Sequence, residues 1–251
     1  MNIAGLQKLT LLDYPGKTAA TLFTQGCNFR CPFCHNANLL KSAQEPQSED
    51  DQTKPAITED ELMRFLEMRK GILDGICITG GEPTLQHDLP LACQRLKQQG
   101  FLVKLDTNGS NPAVLSSLLG EGLLDYVALD IKNEPDLYEK TAGVRSISSE
   151  TIEETVRTLL ASSIPFELRT TVTQELHSNA ALMAIASWIE RMARSGSEND
   201  TLRISWYIQN FQDSDNVLAG QGAFTPWHED ALQEILPLLQ ARVPQTYLRG
   251  V

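Results

Sequence analysis

Residues 19–34 read Ala19-Ala20-Thr21-Leu22-Phe23-Thr24-Gln25-Gly26-Cys27-Asn28-Phe29-Arg30-Cys31-Pro32-Phe33-Cys34. The first six residues are a short run of apolar and β-branched side chains, the composition of a strand. Where that run stops, the chain turns through Gln25-Gly26 and places three thiols in a tight loop.

Similar runs recur downstream near Gly75–Thr79, Leu102–Asp106, Tyr126–Ile131, Phe166–Thr173 and Arg203–Gln209. Amphipathic stretches lie among them at Thr58–Arg69, Leu89–Gln99, Pro112–Leu119, Ser149–Ala161 and Ala180–Ala193. This alternation predicts parallel strands joined by helical crossovers, an α/β fold of at least six strands in one domain. Ser148 or Ser149 is suited to cap the fourth helix. A last helix over Pro226–Leu239 opens a C-terminal extension that runs over 226–251. Lys41–Pro55 is polar and acidic and reads as a mobile loop; Ser195–Asp200 reads as a second loop.

Across the 251 residues the formal net charge is −11, so a nucleic-acid backbone would be repelled, and no run of Lys and Arg offsets that field. No apolar stretch approaches the roughly 20 residues that cross a bilayer, and the start lacks the pattern of a secretion signal. These features predict a cytoplasmic protein without nucleic-acid or membrane partners. In a reducing compartment five cysteines read as metal ligands or core residues before they read as disulfides.

Three thiolates on one loop leave a metal site with an open position. A four-ligand zinc site needs one more donor, and His35 follows Cys34 too closely to aim at the same ion with ease. A four-iron four-sulfur cluster held by three cysteines keeps one iron free for a ligand. A structural zinc knot, or a redox pair made by Cys31 and Cys34, are the other uses of such spacing.

The strand ends carry further candidates. Gly80-Gly81-Glu82-Pro83 follows the second predicted strand; paired glycines let a backbone approach a ligand, although they also serve a tight strand-to-helix turn. Asp106 and Asn108 end the next strand, and Asp130 and Lys132 the one after; ion pairing or helix capping at a barrel rim are the alternatives. Arg169 sits inside an apolar run, where a guanidinium needs an anion from a ligand or from an internal Asp or Glu. His177 reads as a surface histidine at a helix start, Gln209 and Phe211 as residues lining an opening, and Cys77 and Cys93 as small core residues.

The CxxxCxxC order of Cys27, Cys31 and Cys34 resembles the signature of the radical S-adenosylmethionine (SAM) superfamily. The resemblance implies a partial (β/α)6 TIM-like barrel, one 4Fe-4S cluster on those three cysteines, and SAM as cofactor. It assigns Phe33 to a place beside the adenine and Gly80, Gly81 and Glu82 to the amino group of SAM. Asp106, Asp130 and Lys132 are expected to line the SAM site, which in some members includes a monovalent cation. Asn108, from the same strand end as Asp106, and Arg169, through the SAM carboxylate, complete the expected cofactor set. No residue is assigned as a general acid or base, because the cofactor carries the chemistry.

Gly5-Leu6-Gln7-Lys8, Leu12-Asp13-Tyr14-Pro15-Gly16-Lys17 and Phe23–Asn36 further resemble the activating proteins of anaerobic ribonucleoside-triphosphate reductase. That resemblance implies reductive cleavage of SAM to a 5'-deoxyadenosyl radical and formation of a glycyl radical on a partner enzyme. Anaerobic ribonucleotide reductase is the first choice of partner, with flavodoxin or ferredoxin as electron donor. The absence of a cysteine-rich insertion implies a single cluster. Activation of pyruvate formate-lyase, chemistry on a small purine-like molecule, and a metal-bound electron-transfer module are the alternatives.

Overall fold

The computed structural model describes residues 1–40, 57–145, 147–194 and 200–250. The acidic segment 41–55 and residues 195–199 of the second predicted loop lie outside them. The chain divides into two compact units, one of Met1–Asn28, Asn38–Thr107 and Ala113–Val127, the other of Phe29–Ala37, Asn108–Pro112 and Ala128–Val251.

The first unit carries β1 (Ile3–Thr10), β2 (Ala19–Thr24), α1 (Glu59–Glu67), β3 (Gly75–Gly80), α2 (Leu89–Gln98) and β4 (Leu102–Thr107). β2, β3 and β4 are parallel, with Ala19 opposite Gly75 and Gly75 opposite Leu102. β1 runs antiparallel to β2, with Leu6 opposite Leu22. Sequence reading missed β1 because its apolar residues do not alternate and Leu9 is exposed. Leu22, Ile76, Ile78, Val103 and Leu105 of the strands are buried, as are Leu66 of α1 and Leu89 and Leu96 of α2. Thr58 and Glu61 make a reciprocal capping box that starts α1. Most of α3 (Pro112–Gly120) also belongs to this unit.

β5 (Tyr126–Asp130) begins in the first unit and ends in the second. The second unit then holds α4 (Tyr138–Ala142), α5 (Ser149–Ala161), β6 (Phe166–Val172), α6 (Asn179–Arg194), β7 (Ser205–Asn210), α7 (Glu229–Gln240) and β8 (Thr246–Arg249). β6, β7 and β8 are parallel, with Arg169 opposite Tyr207 and Tyr207 opposite Tyr247. The backbone N–H of Ile131, just past β5, donates to the Arg169 carbonyl at 2.8 Å. The segment after α7 is therefore a strand, and the extension over 226–251 is helical only in its first part. The six predicted strands and six predicted helices are all present, with ends shifted by up to three residues. Ser148 is the N-cap of α5, accepting from the Thr151 N–H.

Candidate functional site

In the first unit, β3 delivers Gly80-Gly81-Glu82 against the turn that leads to Cys27. The Gly81 N–H donates to the Thr24 carbonyl at 2.9 Å and the Glu82 N–H to the Gly26 carbonyl at 2.8 Å. A Cβ on Gly80 would overlap the Thr24 backbone, and one on Gly81 would overlap the Gly26 carbonyl. The glycine pair is thus required by close approach of the chain to itself, and Gly80 also has φ of +116°. Glu82 is fully buried; its Oε1 accepts from the Thr84 N–H at 3.0 Å and the Thr107 hydroxyl at 2.8 Å. Asp106 forms an ion pair with the buried Lys104 ammonium. Sequence reading had not singled out Lys104, which lies 3.9 Å from the Cys77 sulfur and faces the Tyr126 ring.

In the second unit, two segments grip the loop that carries Cys31 and Cys34. On one side is the end of α4, where the Arg30 N–H donates to the Ala142 carbonyl at 2.9 Å and the Cys31 sulfur lies 3.7 Å from the same oxygen. Gly143 terminates α4 in the left-handed region, φ +68°, and any Cβ there would overlap the Arg30 carbonyl. On the other side the Ala219 N–H donates to the Pro32 carbonyl at 2.9 Å and the Leu218 N–H to the Cys34 carbonyl at 3.0 Å. The Phe33 ring is met edge-on by Phe224, with centroids 6.3 Å apart. His35 stacks on Phe211 and its Nε2 contacts the Gln212 carbonyl.

At the ends of β5 and β6 the second unit gathers charge. Arg169 Nε donates to Asp130 Oδ1 at 2.9 Å, and Lys132 Nζ to Asp130 Oδ2 at 3.0 Å. Burial would push the Asp130 carboxyl up, but the Arg169 guanidinium and the Lys132 ammonium outweigh it and hold the group at about 2. Burial would likewise lower the Lys132 pKa, yet Asp130 raises it overall. Of the two anions considered for Arg169, the internal Asp is present and is Asp130. The Tyr138 hydroxyl donates to the Asp130 carbonyl at 3.3 Å. Asn108 accepts from the Ser110 N–H at 3.0 Å, an Asx turn before α3.

Two sequence readings need correction. His177 is not on the surface but fully buried. Phe211 is 1% exposed and packs under His35, so it lines no opening. Gln209 does line one: a cavity of about 440 Å³ at the ends of β6, β7 and β8, shared with Thr171, His35 and Arg249. Cys77 and Cys93 are buried as expected of core residues, and burial pushes the Cys93 thiol up to about 12.

Cys27 and Cys34 are partly exposed and Cys31 is buried. Among the described residues no group of three or more His, Cys, Asp or Glu side chains is already gathered in metal-binding geometry. The donor set nevertheless suits an iron-sulfur cluster: it offers thiols on a loop fixed by its backbone, while His35, the nearest candidate for a fourth ligand, is engaged with Phe211 and Gln212. Among the described residues no helix is long and apolar enough to cross a membrane.

Parallel strands with chemistry-bearing residues at their carboxyl ends define an α/β protein of the ligand-binding kind. The family model described as the radical SAM superfamily matches residues 21–176, and the chain belongs to that superfamily. Its cofactors are accordingly a 4Fe-4S cluster and SAM.

A Methanocaldococcus jannaschii protein assigned as a glycyl-radical enzyme activating enzyme is 36% identical over 149 residues, 59% of this chain and 57% of that one. A Thermococcus kodakarensis protein assigned as GTP 3',8-cyclase is 30% identical over 195 residues, 74% of this chain and 57% of that one. The chain thus spans 57% of the length of each of these relatives. Among solved structures, Streptococcus suis SuiB bound to the precursor peptide SuiA superposes with TM-score 0.65 at 14% identity, over 92% of this chain and 48% of SuiB. That likeness supports the α/β partial-barrel fold expected of the superfamily.

Proposed function

We propose that the chain is an activating enzyme that installs a glycyl radical on a partner protein, with anaerobic ribonucleoside-triphosphate reductase as the first candidate and flavodoxin or ferredoxin as electron donor. The observation that carries this reading is the match, at 36% identity, to a relative assigned as a glycyl-radical enzyme activating enzyme. The motifs of residues 5–36 point the same way. Together the bound cluster and SAM supply one-electron cleavage of SAM and abstraction of a hydrogen atom.

Cys27, Cys31 and Cys34 would ligate the cluster, and the grip of Ala142, Leu218 and Ala219 on the loop would fix the last two thiols. Phe33 would lie against the adenine, with its ring already restrained by Phe224. Lys132 and Arg169 would hold the carboxylate of SAM while Asp130 keeps both cations aligned. Gly80 and Gly81 would present backbone groups to the amino end, with Glu82, Asp106 and Asn108 bracing the strand ends.

Anaerobic incubation with SAM, a reductant and the reductase should yield a glycine-centred signal in electron paramagnetic resonance, lost when the target glycine is changed to Ala. A reductase that acquires no radical while a small metabolite is consumed and 5'-deoxyadenosine forms would overturn the activase reading but not family membership. The similarity to the relative assigned as GTP 3',8-cyclase makes a purine nucleotide the alternative substrate, and GTP belongs in the same assay.

A further inference from the structure

His177 has no role in the function proposed above, yet it is 0% exposed and joins three segments of the second unit. The Thr173 N–H donates to His177 Nδ1 at 3.2 Å, and Nε2 lies 2.9 Å from the Lys132 carbonyl. The ring meets Phe33 nearly edge-on, with centroids 6.4 Å apart and planes at 76°. A backbone N–H only donates and a carbonyl only accepts, so the two partners select the neutral tautomer with its proton on Nε2. Burial lowers the His177 pKa, in keeping with the neutral ring.

We infer that His177 is a positioning residue that holds the Phe33 ring and the main chain at Lys132 in one fixed relation, so that the aromatic and charged parts of the SAM site are presented together. This rests on Phe33 and Lys132 contacting SAM as proposed above. An ammonium on a four-carbon stem is only as well placed as the backbone that carries it. Here that backbone is tied through its carbonyl to a buried ring, and its ammonium is paired with Asp130, which is paired in turn with Arg169. Phe33 meets both Phe224 and His177 with ring planes nearly perpendicular, so the imidazole adds to the support of that ring as well.

The test is anaerobic measurement of SAM dissociation constants on reconstituted protein of matched iron content, for His177→Phe and His177→Gln, each alone and combined with Lys132→Ala. His177→Phe keeps the bulk against Phe33 but breaks both hydrogen bonds, and should weaken SAM binding about tenfold, the size expected of one unmade buried hydrogen bond. His177→Gln restores a donor to the Lys132 carbonyl and should recover binding to within about threefold. In the Lys132→Ala background His177→Phe should weaken binding less than about twofold, because coupled residues are not additive. The change that SAM causes in the paramagnetic resonance spectrum of the reduced cluster should diminish in His177→Phe and return in His177→Gln. An equal loss in both backgrounds, or no loss in the parent, would overturn the inference. Lys132→Ala that binds SAM as tightly as the parent would instead remove Lys132 from the site, and the inference with it. Should His177→Phe fail to fold, as read by its melting temperature, His177→Leu, which also breaks both hydrogen bonds, takes its place in the same comparison with the same expected and overturning outcomes.

Discussion

Gly81 has no space for a methyl group, because the Gly26 carbonyl occupies the place a Cβ would take. Gly81→Ala must move the turn before Cys27, and overpacking of this kind costs about 1–3 kcal/mol. Denaturant unfolding should show a loss of at least that size, along with lower iron uptake. At Asp130 the prediction concerns pH. Its folded pKa, about 2, lies below the roughly 3.9 of an unfolded aspartate. The stability it contributes is therefore present above pH about 4 and lost as pH falls through about 2. Asp130→Asn should destabilise the protein by about 1–3 kcal/mol at pH 7, less than a fully buried pair because the carboxylate keeps 30% of its exposure. The gap between parent and variant should close on acidification across that window, as followed by urea titrations at several pH values.

Short elements carry more of the candidate site than long ones. α4 has only five residues, yet its last carbonyl and the glycine after it set the position of Arg30 and Cys31. The signal was legible in principle, since a glycine just past a helical stretch is the usual C-terminal stop. It was overlooked because α4 is too short to show periodicity. β1 and β8 escaped sequence reading for a related reason: both have mixed exposure, and neither carries the short run of apolar and β-branched residues that marked β2 to β7. The long helices announced themselves by spacing and capping. For α5, Ser148→Ala removes the side chain that accepts from the Thr151 N–H and should lower stability by about 1 kcal/mol in thermal or chemical unfolding.

Contacts between distant parts of the sequence were the least legible, and the second unit depends on them. The Arg249 guanidinium meets the buried Glu167 carboxylate through two hydrogen bonds of 3.2 and 3.1 Å, between residues 82 positions apart, and lies over the Tyr207 ring at 3.7 Å. Arg249→Met removes these two hydrogen bonds from a carboxylate with 1% exposure and should destabilise the protein by about 1–3 kcal/mol, measured by denaturant unfolding. Strand composition placed Glu167 and Arg249 on no common face, because a period of two says nothing about which strands become neighbours. The cysteine loop depends on still longer reach. His35 meets Gln212, made 177 residues later. At about 5–20 residues per second, a ribosome exposes these thiols for on the order of ten to thirty-five seconds before the segment that clasps them has been synthesised. Through that interval the nascent cysteines stand without the backbone clasp that holds their loop in the folded second unit, so the loop takes its final form only after the segment from Gln212 to Ala219 has been made.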